Sequence, residues 1–339
     1  MKVLVAGWFS FEKCNVTAGD LMARDLACEW VEKAGYAYDV ALAFPFSGGV
    51  DWRLVDPKTY SHVIFVCGPF PYIKFGLEFL QHFHDCRLIG LDLSMLEPVD
   101  IWNPFDVLIE RDSSVNSHPD ITFLSTQPKV PVVGVILVHP QSEYKEKGKQ
   151  DRANEAISRL IQSREMVAIP IDTGLDPNTT NLRSAAEIES AIARMDLVLT
   201  TRLHGMVLAL KNGVPVVAID AISGGAKVTR QAETIGWDNV FSIDTLTDEA
   251  LVKAFEYAQT PEAQAKAKEC AERARASLET VRNQFIESLH IENTASSRVW
   301  QEDKIDKSLL IEPPPLTLTQ RVMNKAQRLK EKTRKFIQD

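Results

Sequence analysis

The run Asp196 to Asp220, DLVLTTRLHGMVLALKNGVPVVAID, does most to fix the fold class of this chain. An apolar strand pattern, Leu197-Val198-Leu199, runs into Thr200-Thr201-Arg202-Leu203-His204-Gly205. An amphipathic helix pattern follows to about Asn212, and Gly213 with Pro215 punctuate entry into a second apolar strand, Val216 to Ile219. Such alternation belongs to a sheet covered by helices. A strand whose C-terminal end opens onto a helix N-terminus presents amide donors and a partial positive charge at the sheet's ligand-binding edge. Arg202 adds a fixed cation able to hold a phosphate or carboxylate bidentately, and His204 adds a proton donor or acceptor near neutral pH. The segment therefore predicts an anion-handling site with acid–base capability.

The same alternation extends along the chain. Strand patterns at 2–7, 37–43, 62–66, 87–91 and 107–109, with a one-face helix pattern from Asp20 to Trp30, predict a mostly parallel first sheet. Thr126 to Pro131, TQPKVP, reads as a linker, after which strands at 132–138, 167–170, 197–199, 216–219 and 240–243 alternate with helices at 151–162 and 185–195. The expected domains are an α/β unit at 1–127, a second at 130–255, and a helical extension over 256–339. That extension is Ala- and Glu-rich to about Glu287 and ends in a basic helix candidate, Thr319 to Ile337, carrying Arg321, Lys325, Arg328, Lys330, Lys332, Arg334 and Lys335. Such a helix could touch an anionic membrane surface or an acidic partner, but its thin apolar face favours a solvated helix or tail.

Composition excludes several classes. A net charge of −8 over 339 residues argues against a general nucleic-acid binder. No apolar run reaches membrane-spanning length, and the amino terminus lacks the longer apolar core of a secretory signal, so a cytoplasmic protein is expected, one that could reach the inner face of a membrane through the basic helix. Five cysteines without paired spacing or a Cys-x-x-Cys motif read as reduced thiols. His82 and His84 lack a convincing ligand set, so neither a metal nor another cofactor is expected.

Asp196, Arg202, His204, Gly205, Ala209, Gly213, Pro215 and Lys227 together resemble the signature of the polysaccharide pyruvyl transferase family. Two weaker echoes lie upstream: Asn15 to Asp20, NVTAGD, with two extra residues before Gly19, and Glu110-Arg111-Asp112-Ser113-Ser114. The resemblance implies two Rossmann-like α/β domains facing across a cleft, the GT-B arrangement. It also implies transfer of a pyruvyl group from phosphoenolpyruvate to a hydroxyl pair of a saccharide or lipid-linked oligosaccharide. The product so implied is a pyruvate ketal in polysaccharide biosynthesis at the cell envelope. The alternatives are a glycosyltransferase using a nucleotide sugar in the same architecture and a non-catalytic scaffold for glycan assembly.

Each candidate residue has a plainer reading beside the functional one. Arg202 could be an ordinary salt-bridging side chain and His204 a structural histidine; motif and position favour ligand binding by Arg202 and acid catalysis by His204. Asp20 could cap its helix or act as base towards an acceptor hydroxyl, with Asn15 lining the same loop. Lys227 follows the flexible turn Ser223-Gly224-Gly225-Ala226, whose amides could surround an anion with help from Ser223. Gly205 enters as a substrate contact through the motif. Arg111 offers a second anion ligand or a local ion pair with Glu110 and Asp112, and His139 sits at a strand end facing the expected donor site. Cys14 is read as a loop residue because no histidine can be paired with it.

Overall fold

A computed structural model describes residues 2–71, 73–139, 147–176, 178–225 and 227–290. The basic C-terminal helix candidate and Pro140 lie outside them. The chain divides into two compact units between Pro128 and Lys129. No described helix is long and apolar enough to cross a membrane.

In the first unit, β1 (Lys2–Ala6) leads to α1 (Ala18–Lys33) and β2 (Tyr38–Val40). Then come β3 (Tyr60–Phe70), α2 (Lys74–His82), β4 (Arg87–Met95) and β5 (Val107–Asp112). The strands form a parallel sheet in the order β2-β1-β3-β4-β5. Helix α1 begins where Thr17 and Asp20 form a capping box, with Asp20 Oδ2 accepting from both the Thr17 amide and hydroxyl at 2.7 Å. It ends at Gly35, whose φ of +81° suits the left-handed turn that stops a helix. One face of α1, with Ala23, Leu26, Ala27 and Val31, is buried against Val3, Val5, Ile64 and Val66 of the sheet.

The second unit repeats the plan. Its elements are β6 (Val132–Ile136), α3 (Gln150–Ser163), β7 (Val167–Pro170), α4 (Ala185–Ile192), β8 (Leu197–Thr200), α5 (Leu203–Lys211) and β9 (Val216–Asp220). They continue through α6 (Lys227–Ile235), β10 (Val240–Ser242), α7 (Asp248–Ala258) and α8 (Pro261–Ser288). This sheet is also parallel, in the order β10-β9-β8-β6-β7. Both of its faces are covered, one by a core including Ile157, Leu160, Leu199 and Phe255, the other by one including Met206, Leu210, Val216 and Trp237. The first turns of α8 belong to the second core through Ala263, Ala267 and Cys270, so the described start of the helical extension is part of this unit.

Each sheet has its first strand between its second and third. Such an order reverses winding direction at that point, and the crevice beyond the carboxyl ends of those two strands is where open α/β sheets bind ligands. The first unit has this switch point at the ends of β1 and β3. The second has it at the ends of β6 and β8. Two α/β units of parallel sheet and helices are thus the architecture of the chain.

Candidate functional site

At the second unit's switch point, hydroxyl groups knit the strand ends together. Thr200 Oγ1 donates to Ile136 O at 2.8 Å and accepts from the Arg202 amide at 2.9 Å. Thr201 Oγ1 accepts from the Val138 amide at 2.8 Å and donates to Asn154 Oδ1 at 3.0 Å. These bonds hold Arg202 extended at the N-cap of α5, a helix with no side-chain cap. Its first-turn amides can therefore serve an anion.

The Arg202 guanidinium is held by Asp172, Nη1 to Oδ1 at 3.1 Å, and His139 Nε2 lies 3.4 Å from the other carboxylate oxygen. Asp172 follows β7 and its side chain is only 4% exposed. Burial alone would raise its pKa. The amides of Gly174 and Thr179, the Thr179 hydroxyl and His139 outweigh that effect, holding the carboxyl far below the usual carboxylate range. Asp172 is a fixed anion that orients two side chains at the sheet's carboxyl edge. Nε and Nη2 of Arg202 have no partner among the described residues and remain available for an anionic ligand. His204, in the first turn of α5, is exposed and has no hydrogen-bond partner among the described residues.

The remaining candidates of this unit differ in character. Gly205 is buried, and a Cβ there would run into Thr200 Oγ1 and approach Ile136 at 3.0 Å. Its local role is to let α5 sit directly on the strand ends that carry Arg202. Lys227 is the first residue of α6, which packs on α5. Ser223 is tied away by a 2.9 Å bond from its hydroxyl to Asp244, and the Gly224 amide serves the same carboxylate at 2.8 Å. Those two donors are thus already engaged. Topology places His139, Arg202, His204 and Lys227 beyond the carboxyl edge of one sheet, and His139 and Arg202 share Asp172 as a partner.

In the first unit, Asn15, Asp20 and Arg111 line a single cavity of about 510 Å³ with Trp8, Cys14, Cys67, Gly68 and Asp120. It lies just past the end of β1 and alongside the last residues of β3, at the first unit's switch point. Arg111 donates from Nη1 to Asp120 at 2.8 Å and from Nη2 to Ser94 at 2.6 Å, so its guanidinium is largely engaged within the unit. Burial by itself would lower the Arg111 pKa, but Asp120 and the surrounding negative groups raise it. The Asp20 oxygen Oδ2 is committed to the capping box, while Oδ1 points towards Gly68. Sequence reasoning missed Asp172, Cys67, Asp92 and Asp120. For Asp172 a signal existed: IDTG followed by NTT, a set of turn-forming residues directly after a strand.

Residues 110–221 match the family model described as polysaccharide pyruvyl transferase. The span includes Arg111, His139, Asp172, Arg202, His204 and Gly205, and excludes Asn15, Asp20, Ser223 and Lys227. No curated protein matches the chain. Among solved structures, the spinosyn forosaminyltransferase SpnP is 12% identical, covering 80% of this chain and 94% of that one at a TM-score of 0.28. The UDP-GlcNAc 2-epimerase of Methanocaldococcus jannaschii is 11% identical, covering 81% and 99% at a TM-score of 0.30. MurG of Acinetobacter baumannii is 10% identical, covering 80% and 95% at 0.28. At scores this low the likeness carries no argument about substrate or site.

Proposed function

We propose that this protein transfers the pyruvyl group of phosphoenolpyruvate to a hydroxyl pair on a saccharide, with the donor bound at the second unit's switch point. The observation that carries the proposal is the Asp172-anchored Arg202 beside the uncapped start of α5, within the residues that match the pyruvyl transferase model. Phosphoenolpyruvate bears a carboxylate and a phosphate and needs more than one cationic or amide-rich subsite. Arg202 and the α5 amides supply one, and Lys227 and His139 are the proposed contributors to the rest.

In this reading His204 protonates the methylene carbon of the enol as positive charge grows on the carbon bearing the phosphate. One sugar hydroxyl attacks that carbon and loses its proton to a base, for which Asp20 is the candidate. Inorganic phosphate then departs, and the second hydroxyl closes the ketal. The proton taken by Asp20 then leaves with the phosphate and that of the second hydroxyl restores His204, so donor and diol yield ketal and phosphate. Asn15 and Arg111 accompany Asp20 as the proposed acceptor contacts in the first unit's cavity.

The test is to incubate the purified chain with phosphoenolpyruvate and a panel of free and lipid-linked saccharides, following phosphate release and a pyruvyl mass increment. A pyruvylated acceptor with matching phosphate supports the reading. Glycosyl transfer from a nucleotide sugar, with no pyruvyl product, selects the glycosyltransferase instead.

A further inference from the structure

We infer that Cys67, Asp92 and Asp120 form a binding site for a thiophilic divalent cation, with Zn²⁺ as its probe, opening into the cavity of the first unit. The thiol sulfur and one carboxylate oxygen from each aspartate lie within 4.8 Å of one another, spacing that a single ion can bridge. Asp92 is fully buried, and its Oδ2 has no hydrogen-bond partner among the described residues although its other oxygen accepts from the Ile121 amide at 3.2 Å. An unpaired carboxylate oxygen sealed from water is costly, and a cation is the partner that would offset that cost.

Strand register creates the arrangement. Val66 pairs with Leu91 and Gly68 with Leu93, which sets Cys67 opposite Asp92. Both have left-handed backbone, with φ of +63° and +56°. Asp120 arrives from the turn after β5, oriented by the Thr122 amide and hydroxyl at 2.9 and 2.6 Å and by Arg111 at 2.8 Å. Outer bonds of this kind fix the direction of metal-binding carboxylates.

Charge and access agree with a dication. Asp20, Asp92 and Asp120 all act on Cys67, opposed by Arg111. Cys67 and Asp120 line the cavity, so three protein ligands would leave an open side facing it. The thiolate favours Zn²⁺ over the oxygen-seeking Mg²⁺ and Ca²⁺. Burial, with the adjacent carboxylates, pushes the Cys67 thiol up to about 12, and burial with Asp120 raises Asp92.

The experiment uses the full metal-free chain, titrated with Zn²⁺ against a chromophoric chelator and, separately, with Co²⁺. The expected results are a thiolate-to-cobalt charge-transfer absorption, proton release on Zn²⁺ binding, and no competition by Mg²⁺. Cys67→Ala and Asp92→Asn should each weaken Zn²⁺ binding by more than about 100-fold, beyond the usual effect of losing an outer partner. Absence of the cobalt–thiolate band in the natural chain, or its persistence in Cys67→Ala, overturns the assignment. Should either variant fail to fold by circular dichroism, alkylation of the natural chain read by peptide mass decides. Zn²⁺ must protect the peptide carrying Cys67, and unchanged labelling overturns the site.

Discussion

Replacing Asp172 with Asn probes how the second unit holds Arg202. The carboxylate accepts from the Gly174 amide, the Thr179 amide and hydroxyl, Arg202 and His139. An Asn retains the shape, but its NH₂ must face donors, leaving one or two of them unsatisfied at about 1–3 kcal/mol each. Breaking a buried ion pair costs about 3–5 kcal/mol, and the 27% exposure of the Arg202 side chain lets water recover part of that. The expected loss is therefore about 2–4 kcal/mol, or a fall in Tm of about 5–15 °C for a unit of this size. The pH dependence supplies a second readout. Asp172 is depressed below its ordinary value of about 3.9, so its contribution is complete above that pH and is lost as pH falls towards the folded-state pKa. Thermal melts by circular dichroism from pH 3 to 7 should show a steeper acid loss in the natural protein than in Asp172→Asn. Equal stability at pH 7 together with an unchanged acid slope would refute the anchoring argument.

Three further outcomes are expected. His204→Ala should leave stability within about 0.5 kcal/mol, because the side chain is exposed, yet slow turnover by about 10²–10⁴-fold; near-normal kcat at saturating donor and acceptor sinks the acid assignment. Gly205→Ala should destabilise by about 1–3 kcal/mol, because the new methyl displaces Thr200 and with it the Arg202 turn, as denaturant melts will report. Thr17→Ala should cost about 1 kcal/mol through loss of the α1 cap, and an unchanged midpoint in urea would contradict that account.

Much of the fold could be read from periodicity, because buried parallel strands carry continuous apolar runs and their covering helices repeat at helical spacing. The misses have local causes. The strand pattern at 62–66 stops at Cys67-Gly68-Pro69, whose turn-like composition signals a break. Both Cys67 and Gly68 do take positive φ, but pairing with β4 resumes at Gly68 and continues to Phe70. Helix α2 is short and contains Gly76, while α6 buries only Val228 and Ala232, too few positions to establish a period.

The site was legible to the extent that its chemistry lies in one continuous stretch. Arg202 and His204 flank the start of a helix, so a strand–turn–helix pattern suffices to place them at a sheet's carboxyl edge. Asp172 lies 30 residues earlier, and it meets Arg202 only because β7 and β8 flank β6 in the sheet. Cys67, Asp92 and Asp120 are likewise gathered by the register of β3 against β4 and by the turn beyond β5. Ser223 errs in the other direction. A glycine-rich turn promises open amides, but Asp244 arrives after the next strand and takes both the Ser223 hydroxyl and the Gly224 amide. Sequence spacing thus places Arg202 and His204 at the sheet's carboxyl edge, whereas the carboxylates that hold Arg202, Ser223 and Gly224 are supplied by strand order. The proposed donor site consequently depends on the β7 loop as much as on the motif, since Asp172 is the group that holds the Arg202 guanidinium at the sheet's carboxyl edge.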